Sequence, residues 1–255
     1  MKKLLLVMLM LNALTSSEAQ SVSSNQSMFS TNFISLTVPQ DYQGEISYLN
    51  ATNTIEKKKV GQIVHDYTLL GSFPNLVSSV TLFQVDENGS LSLLGNSLTL
   101  KNSTYLVIYD YAQTQTIHLK DSAEKLNYFA LVGVSVRMVA RINSKSAGIN
   151  LTDIFSLGAA ANRSKITGSL EVRVNGANSQ QINSIIPVTT DLSPSSISNA
   201  LQAVATIKSH LYDSTTKITP QFLAFNAIGN QTNDPSQLKP DFKVLLNKVK
   251  SFEFD

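Results

Sequence analysis

Ala130-Leu-Val-Gly-Val-Ser-Val-Arg-Met-Val-Ala-Arg-Ile142 is the stretch on which the fold class turns. Its even positions, Ala130, Val132, Val134, Val136, Met138, Ala140 and Ile142, are all apolar. Its odd positions mix Leu131, Gly133, Ser135, Arg137, Val139 and Arg141. Successive side chains of an extended chain point to opposite faces, so a period of two predicts a β-strand with one apolar and one mixed face. A strand of ~13 residues spans about 43 Å at 3.3 Å per residue, and must twist or bend strongly. The pattern returns downstream, where Ile166, Gly168, Leu170, Val172 and Val174 alternate with Thr167, Ser169, Glu171, Arg173 and Asn175.

Working outward, Phe33 to Val38 predicts a strand stopped by Pro39, and Gly44 to Ala51 a second one. Thr54 to Leu70 opens on Glu56-Lys-Lys-Lys59 and is ambiguous, a helical start being one reading of it. Val77 to Val85 and Ser90 to Leu94 flank Asp86-Glu-Asn-Gly89, a hairpin turn because Asn and Gly accept positive φ. Thr104 to Tyr111 places Tyr105, Val107, Tyr109 and Tyr111 on one strand face. Leu151 to Ala161 is short and apolar, a predicted helix. Ser193-Pro194 offers an N-cap and a first-turn proline to a helix with Ile197, Leu201, Val204, Ile207 and Leu211 along one side. Ile218 to Ile228 predicts the last strand. Strands with irregularly interspersed helices imply an α+β fold with a long twisted, largely antiparallel sheet and a few flanking helices.

The ends carry different information. Lys2 and Lys3 precede an apolar run, Leu4 to Leu14, broken only by Asn12, and Ser17-Glu-Ala19 provides a small-x-small cleavage site. This predicts a signal peptide over 1–19 and an exported protein, periplasmic or extracellular, of bacterial origin. The run is shorter than the roughly 20 residues that span a bilayer. Residues 20–32, rich in Ser, Asn and Gln, predict a flexible lead-in, 33–228 a single domain, and 229–255 a tail ending in the amphipathic Phe242 to Val249.

Composition narrows the chemistry. The chain has 255 residues, no Cys, no Trp and three His. Lack of Cys rules out a disulfide framework, a thiolate metal site and a Cys nucleophile within the chain. Net charge is +2 for the whole chain, and the basic residues are scattered instead of striped, so no nucleic-acid partner is expected. His65, His118 and His210 stand far apart with no ligand spacing, and are read as surface or hydrogen-bonded histidines. Gly133-Val-Ser-Val-Arg137 lacks the second Gly of a nucleophile elbow and lies in mid-strand. No catalytic residue, cofactor or metal is therefore expected. The candidate binding face is Tyr105, Tyr109 and Tyr111 with Arg137, Arg141, Glu171 and Arg173, the charges also being explicable as cross-strand pairs. The partner is expected to be a protein or a cell surface.

One layout carries a family resemblance. Val132 to Ile142, a short insert, Thr167 to Gly176, the Ile197 to Leu211 helix and Ile218-Thr-Pro-Gln-Phe-Leu223 follow one another in that order. Over residues 128–229 this order resembles the bent-sheet core of cholesterol-dependent cytolysins and perforin-like proteins. The resemblance is one of element order and includes no Trp-rich membrane-recognition loop. It implies, as an alternative function, a pore-forming or membrane-perturbing protein that contacts a membrane.

Overall fold

The computed structural model describes residues 33–94, 99–100, 102–121, 126–145, 149–150 and 166–228. The expected signal peptide, the lead-in, the helix over 151–161 and the tail fall outside them.

Two strands of 19 residues, β7 (Ser103–Asp121) and β8 (Leu126–Ser144), form the centre as one antiparallel hairpin without a register break. On one side β7 pairs with β4 (Asn75–Val85), which pairs in turn with β5 (Leu91–Leu93) across the Asp86–Gly89 turn. On the other side β8 has two successive partners. Its C-terminal half pairs with β10 (Ile166–Asn175), its N-terminal half with β14 (Gln221–Ile228), and β14 carries β1 (Ile34–Asp41). All of these pairings are antiparallel, and the sheet is large and curled. The protein is sheet-rich, a mostly β or α+β architecture.

The handover along β8 is built on glycine. Asn175 lies opposite Ser135 on β10, and Gln221 opposite Gly133 on β14. Between them Gly176 adopts φ +76°, a left-handed conformation, and a Cβ there would meet the Gly133 carbonyl at 2.8 Å. Thr219 N–H donates to the Gly176 carbonyl at 2.8 Å, tying the end of one partner to the start of the next. Strand β11 (Ala177–Asn178) and β13 (Lys217–Ile218) pair beside this junction. The stretch read as one strand over 218–228 is thus two, interrupted at Thr219-Pro220, where Pro220 has no N–H to give.

Smaller elements complete the chain. Strands β2 (Glu45–Leu49) and β3 (Ile55–Lys59) form a hairpin, so the lysine run is extended and the expected helical start is not formed. Two 3-10 turns, Val60–Gln62 and Tyr67–Ser72, follow. Two short pairings, β6 (Thr99–Leu100) with β9 (Ile149–Asn150) and β12 (Thr190–Asp191) with β10, add to the periphery. Helix α1 (Gln180–Ile185) was not foreseen, whereas α2 (Pro194–His210) follows expectation. Ser193 Oγ accepts from Ser196 N–H at 3.1 Å, and Ser193 N–H donates to Ser196 Oγ at 2.8 Å, a reciprocal cap. The buried stripe of α2 is Ile197, Ala200, Val204 and Ile207, with Leu211 just beyond; Leu201 is only half-buried at its margin.

The expectation of one mixed face on β8 is corrected. Residues 131–140 are all buried, on both faces. The helices and the segment around residues 60–74 cover the face of Val132, Val134 and Val136. The face of Ser135 and Arg137 is covered because the sheet curls and brings β1 across it. Ser35 N–H donates to Thr81 Oγ1 on β4 at 3.2 Å, and the hydroxyls of Ser35 and Ser79 lie 3.5 Å apart.

Candidate binding face

The seven residues singled out from the sequence divide between the two faces of the sheet. Arg137 lies directly opposite Asp110, whereas Tyr109 and Tyr111 lie opposite Met138 and Val136. Opposite residues of an antiparallel pair share a face, so the tyrosines belong to the apolar face and the charged residues to the other. They do not form one surface.

On the charged side, Arg137 is wholly buried and structural. Its Nε and Nη2 donate to the two carboxylate oxygens of Asp110, each at 2.7 Å. Its Nη1 donates to the carbonyls of Leu36 and Thr37 on β1. These are carbonyls that β14 does not use: the β1–β14 register slips between Ser35 and Gln40, and Leu36 to Pro39 leave the ladder. The guanidinium thus stands in for a missing strand neighbour. The charge pairing expected between the strands at 130–142 and 166–174 fails for Arg137, since its opposite residue on β10 is Arg173. Arg173 instead pairs two residues along its own strand with Glu171, at 2.7 and 2.8 Å. That bond holds the Glu171 carboxyl below the ordinary carboxylate range; burial opposes it, and the charges of Arg173 and Arg141 add to it. Arg141, Glu171 and Arg173 remain partly or fully exposed on this face.

On the apolar side, Tyr105 is 2% exposed and belongs to the core, while Tyr109 and Tyr111 are half-buried. Around them the fold assembles residues that sequence reading did not single out. Val80 lies opposite Tyr109, Ser78 opposite Tyr111, and Leu76 opposite Gln113. From the end of α2, the Lys208 ammonium sits 3.5 Å from the Tyr111 ring centroid, a cation–π contact. Just past the helix, Tyr212 O–H donates to Gln113 Oε1 at 2.8 Å. The Gln113 amide in turn donates to the Leu70 carbonyl at 3.0 Å, anchoring the second 3-10 turn. Leu76 is 63% and Tyr212 56% exposed. The result is an amphipathic shelf of Leu76, Val80, Tyr109, Tyr111 and Tyr212 with one cation lying on it. Lys208 is spaced for the helix surface, and only the packing of α2 on the sheet brings it to Tyr111; no local pattern announces it.

The histidines are not brought together. His118 packs against Phe129 with ring centroids 4.9 Å apart, and His210 Nδ1 is 2.6 Å from Asp213 Oδ2. His65 departs from expectation, because its buried Nδ1 has no hydrogen-bond partner. Among the described residues no group of three or more His, Cys, Asp or Glu is placed to hold a metal ion, and no helix is long and apolar enough to cross a membrane. No family model, no curated protein and no solved structure matches the chain.

Proposed function

We propose that this is an exported, non-enzymatic α+β protein that binds a protein or cell-surface partner through the shelf of Leu76, Tyr109, Tyr111 and Tyr212. The observation that supports it is the exposure of large amphipathic side chains beside an ammonium held on an aromatic ring. Tyrosines with few rotatable bonds supply contact area at low entropic cost, and such residues are enriched where proteins bind one another. A photo-crosslinking side chain at position 76, compared with one at the exposed position 57 on β3, tests the reading in the exporting cells. A discrete adduct from position 76 alone is expected. Equal labelling from both positions, or none from 76, would end it.

A second reading, a pore-forming or membrane-perturbing protein, is supported by the partner exchange along β8 at Gly133 and Gly176 within a curled sheet. Dye release from liposomes separates the two. Vesicles that stay tight at micromolar protein exclude the pore.

A further inference from the structure

Among the described residues, the shelf lies beside a strand edge that has no ladder partner. The Leu82 carbonyl accepts from Leu94 N–H at 3.0 Å, so Leu82 turns its main chain away from β7 and towards β5. The β4–β7 register is unbroken from Asn75 to Val85, so main-chain direction alternates regularly along β4. Leu76, Ser78 and Val80 therefore also turn their N–H and C=O groups away from β7. Strand β5 stops short of them, since its pairing with β4 covers only Phe83 to Val85. β1 reaches β4 through the side chains of Ser79 and Thr81, not through a ladder. Among the described residues nothing accepts or donates at these three main-chain positions. Natural sheet edges are usually blunted by charge or proline. Asn75-Leu-Val-Ser-Ser-Val-Thr-Leu-Phe-Gln-Val85 has neither.

We propose that an extended peptide segment of a partner protein adds to β4 as a further antiparallel or parallel strand, its apolar side chains lying on the shelf and a carboxylate meeting Lys208. This rests on the shelf reading and specifies its mode. The same three residues present both an unpaired main-chain edge and, through Leu76 and Val80, the rim of the apolar shelf, which is what strand addition needs: main-chain bonds for affinity, alternate side chains for specificity. Charge selects the partner's chemistry. The Lys208 ammonium rests on Tyr111 and forms no ion pair among the described residues, so an Asp or Glu at an alternate position of the incoming strand completes it.

The probe is a displayed library of random peptides of about nine residues, ~30 Å when extended, selected on the full chain. Enriched peptides are expected to alternate apolar and polar residues and to carry an acid. Ser78→Pro removes an outward N–H without touching the β7 ladder, and should weaken a selected peptide at least about tenfold, the equivalent of one or two net hydrogen bonds. N-methylation of alternate peptide amides should do the same, and does not depend on how the protein variant folds. Lys208→Glu should shift the selection from acidic to basic peptides. If Ser78→Pro and the N-methylated peptides bind as tightly as their parents while Leu76→Asp abolishes binding, strand addition is overturned and the shelf reading stands. If Leu76→Asp binds as well, both fall. A wild type that selects nothing but self-associates, with Ser78→Pro monomeric, overturns the peptide partner in favour of a second copy. A wild type that selects nothing and stays monomeric overturns the proposal outright.

Discussion

Arg137 and Asp110 face each other directly across β8 and β7, joined by two parallel hydrogen bonds of 2.7 Å, with neither side chain reaching solvent beyond 3%. The same guanidinium holds the strand β1 where it leaves its ladder. One buried cation therefore joins the β7–β8 hairpin to β1, a strand far from it in sequence.

Removing one partner should be costly and removing both less so. Asp110→Ala leaves an uncompensated buried charge, and should lower the unfolding free energy by about 3–5 kcal/mol. A double variant, Asp110→Leu with Arg137→Met, should recover much of that, although it loses the bonds to Leu36 and Thr37. Urea denaturation reads both. A single-variant loss below about 1 kcal/mol would show the pair to be hydrated.

Both faces of β8 should reject a carboxylate. Val134 and Ser135 are each 0% exposed, and Ser135 Oγ already accepts from Asn175 at 2.9 Å. Val134→Asp and Ser135→Asp should each cost about 3 kcal/mol or more, since an ionised group enters without a partner. Asn143→Asp, on the exposed end of the same strand, should be close to neutral, because its oxygen still accepts from Thr104 Oγ1. Melting temperatures that separate Val134→Asp from Ser135→Asp widely would place one of the faces wrongly.

Helix α2 is secured by its cap and by its stripe, in unequal measure. Ser193→Ala removes the side-chain acceptor of the cap, leaving the Ser193 N–H bond to Ser196 Oγ, and should cost about 1 kcal/mol. Ile207→Ala empties a fully buried site and should cost about 2–5 kcal/mol. Thermal or urea unfolding orders the two, and a larger effect from the cap would mean that α2 packs more loosely than its buried side chains indicate.

Tyr42 predicts a pH dependence. Its phenol, which donates to the Glu45 carbonyl at 2.9 Å, is pushed up to about 12 from 10.0, by burial first and by the Glu45 charge second. A raised acid pKa favours the protonated form in the folded state. The associated stabilisation is complete below the unfolded pKa of 10.0 and is lost as pH rises through about 12. Wild-type stability should therefore fall more steeply than that of Tyr42→Phe across this window, measured by urea denaturation. Parallel curves would mean that the phenol is open to water.

Much of the sheet was legible as local pattern. The alternation from Ala130 to Ile142 and from Ile166 to Val174 marks two strands that pair in register, the Asp86–Gly89 turn links β4 to β5, and Ser193-Pro194 starts α2. The lysine run at 57–59 misleads because lysine favours helices only weakly, while pairing with Glu45 to Ser47 favours the extended form. The candidate face was legible only in fragments. Asp110 and Arg137 stand equally far from the β7–β8 turn, a clue that needs the turn to be located first.

Alternation along a chain states that two faces exist, because side chains in a strand must point in opposite directions. That much the sequence determined by itself, with the cysteine-free composition and the capped helix. What lies over each face is decided by the rest of the chain. The curl that brings Ser35 of β1 onto Ser79 and Thr81 of β4 turns Arg137 from a surface charge into a buried clamp. The packing of α2 sets Lys208 on Tyr111, and the end of β5 at Leu93 leaves Leu76 to Val80 of β4 without an outer ladder partner among the described residues. Burial depends on which distant segments meet, and only the tertiary structure brings them together.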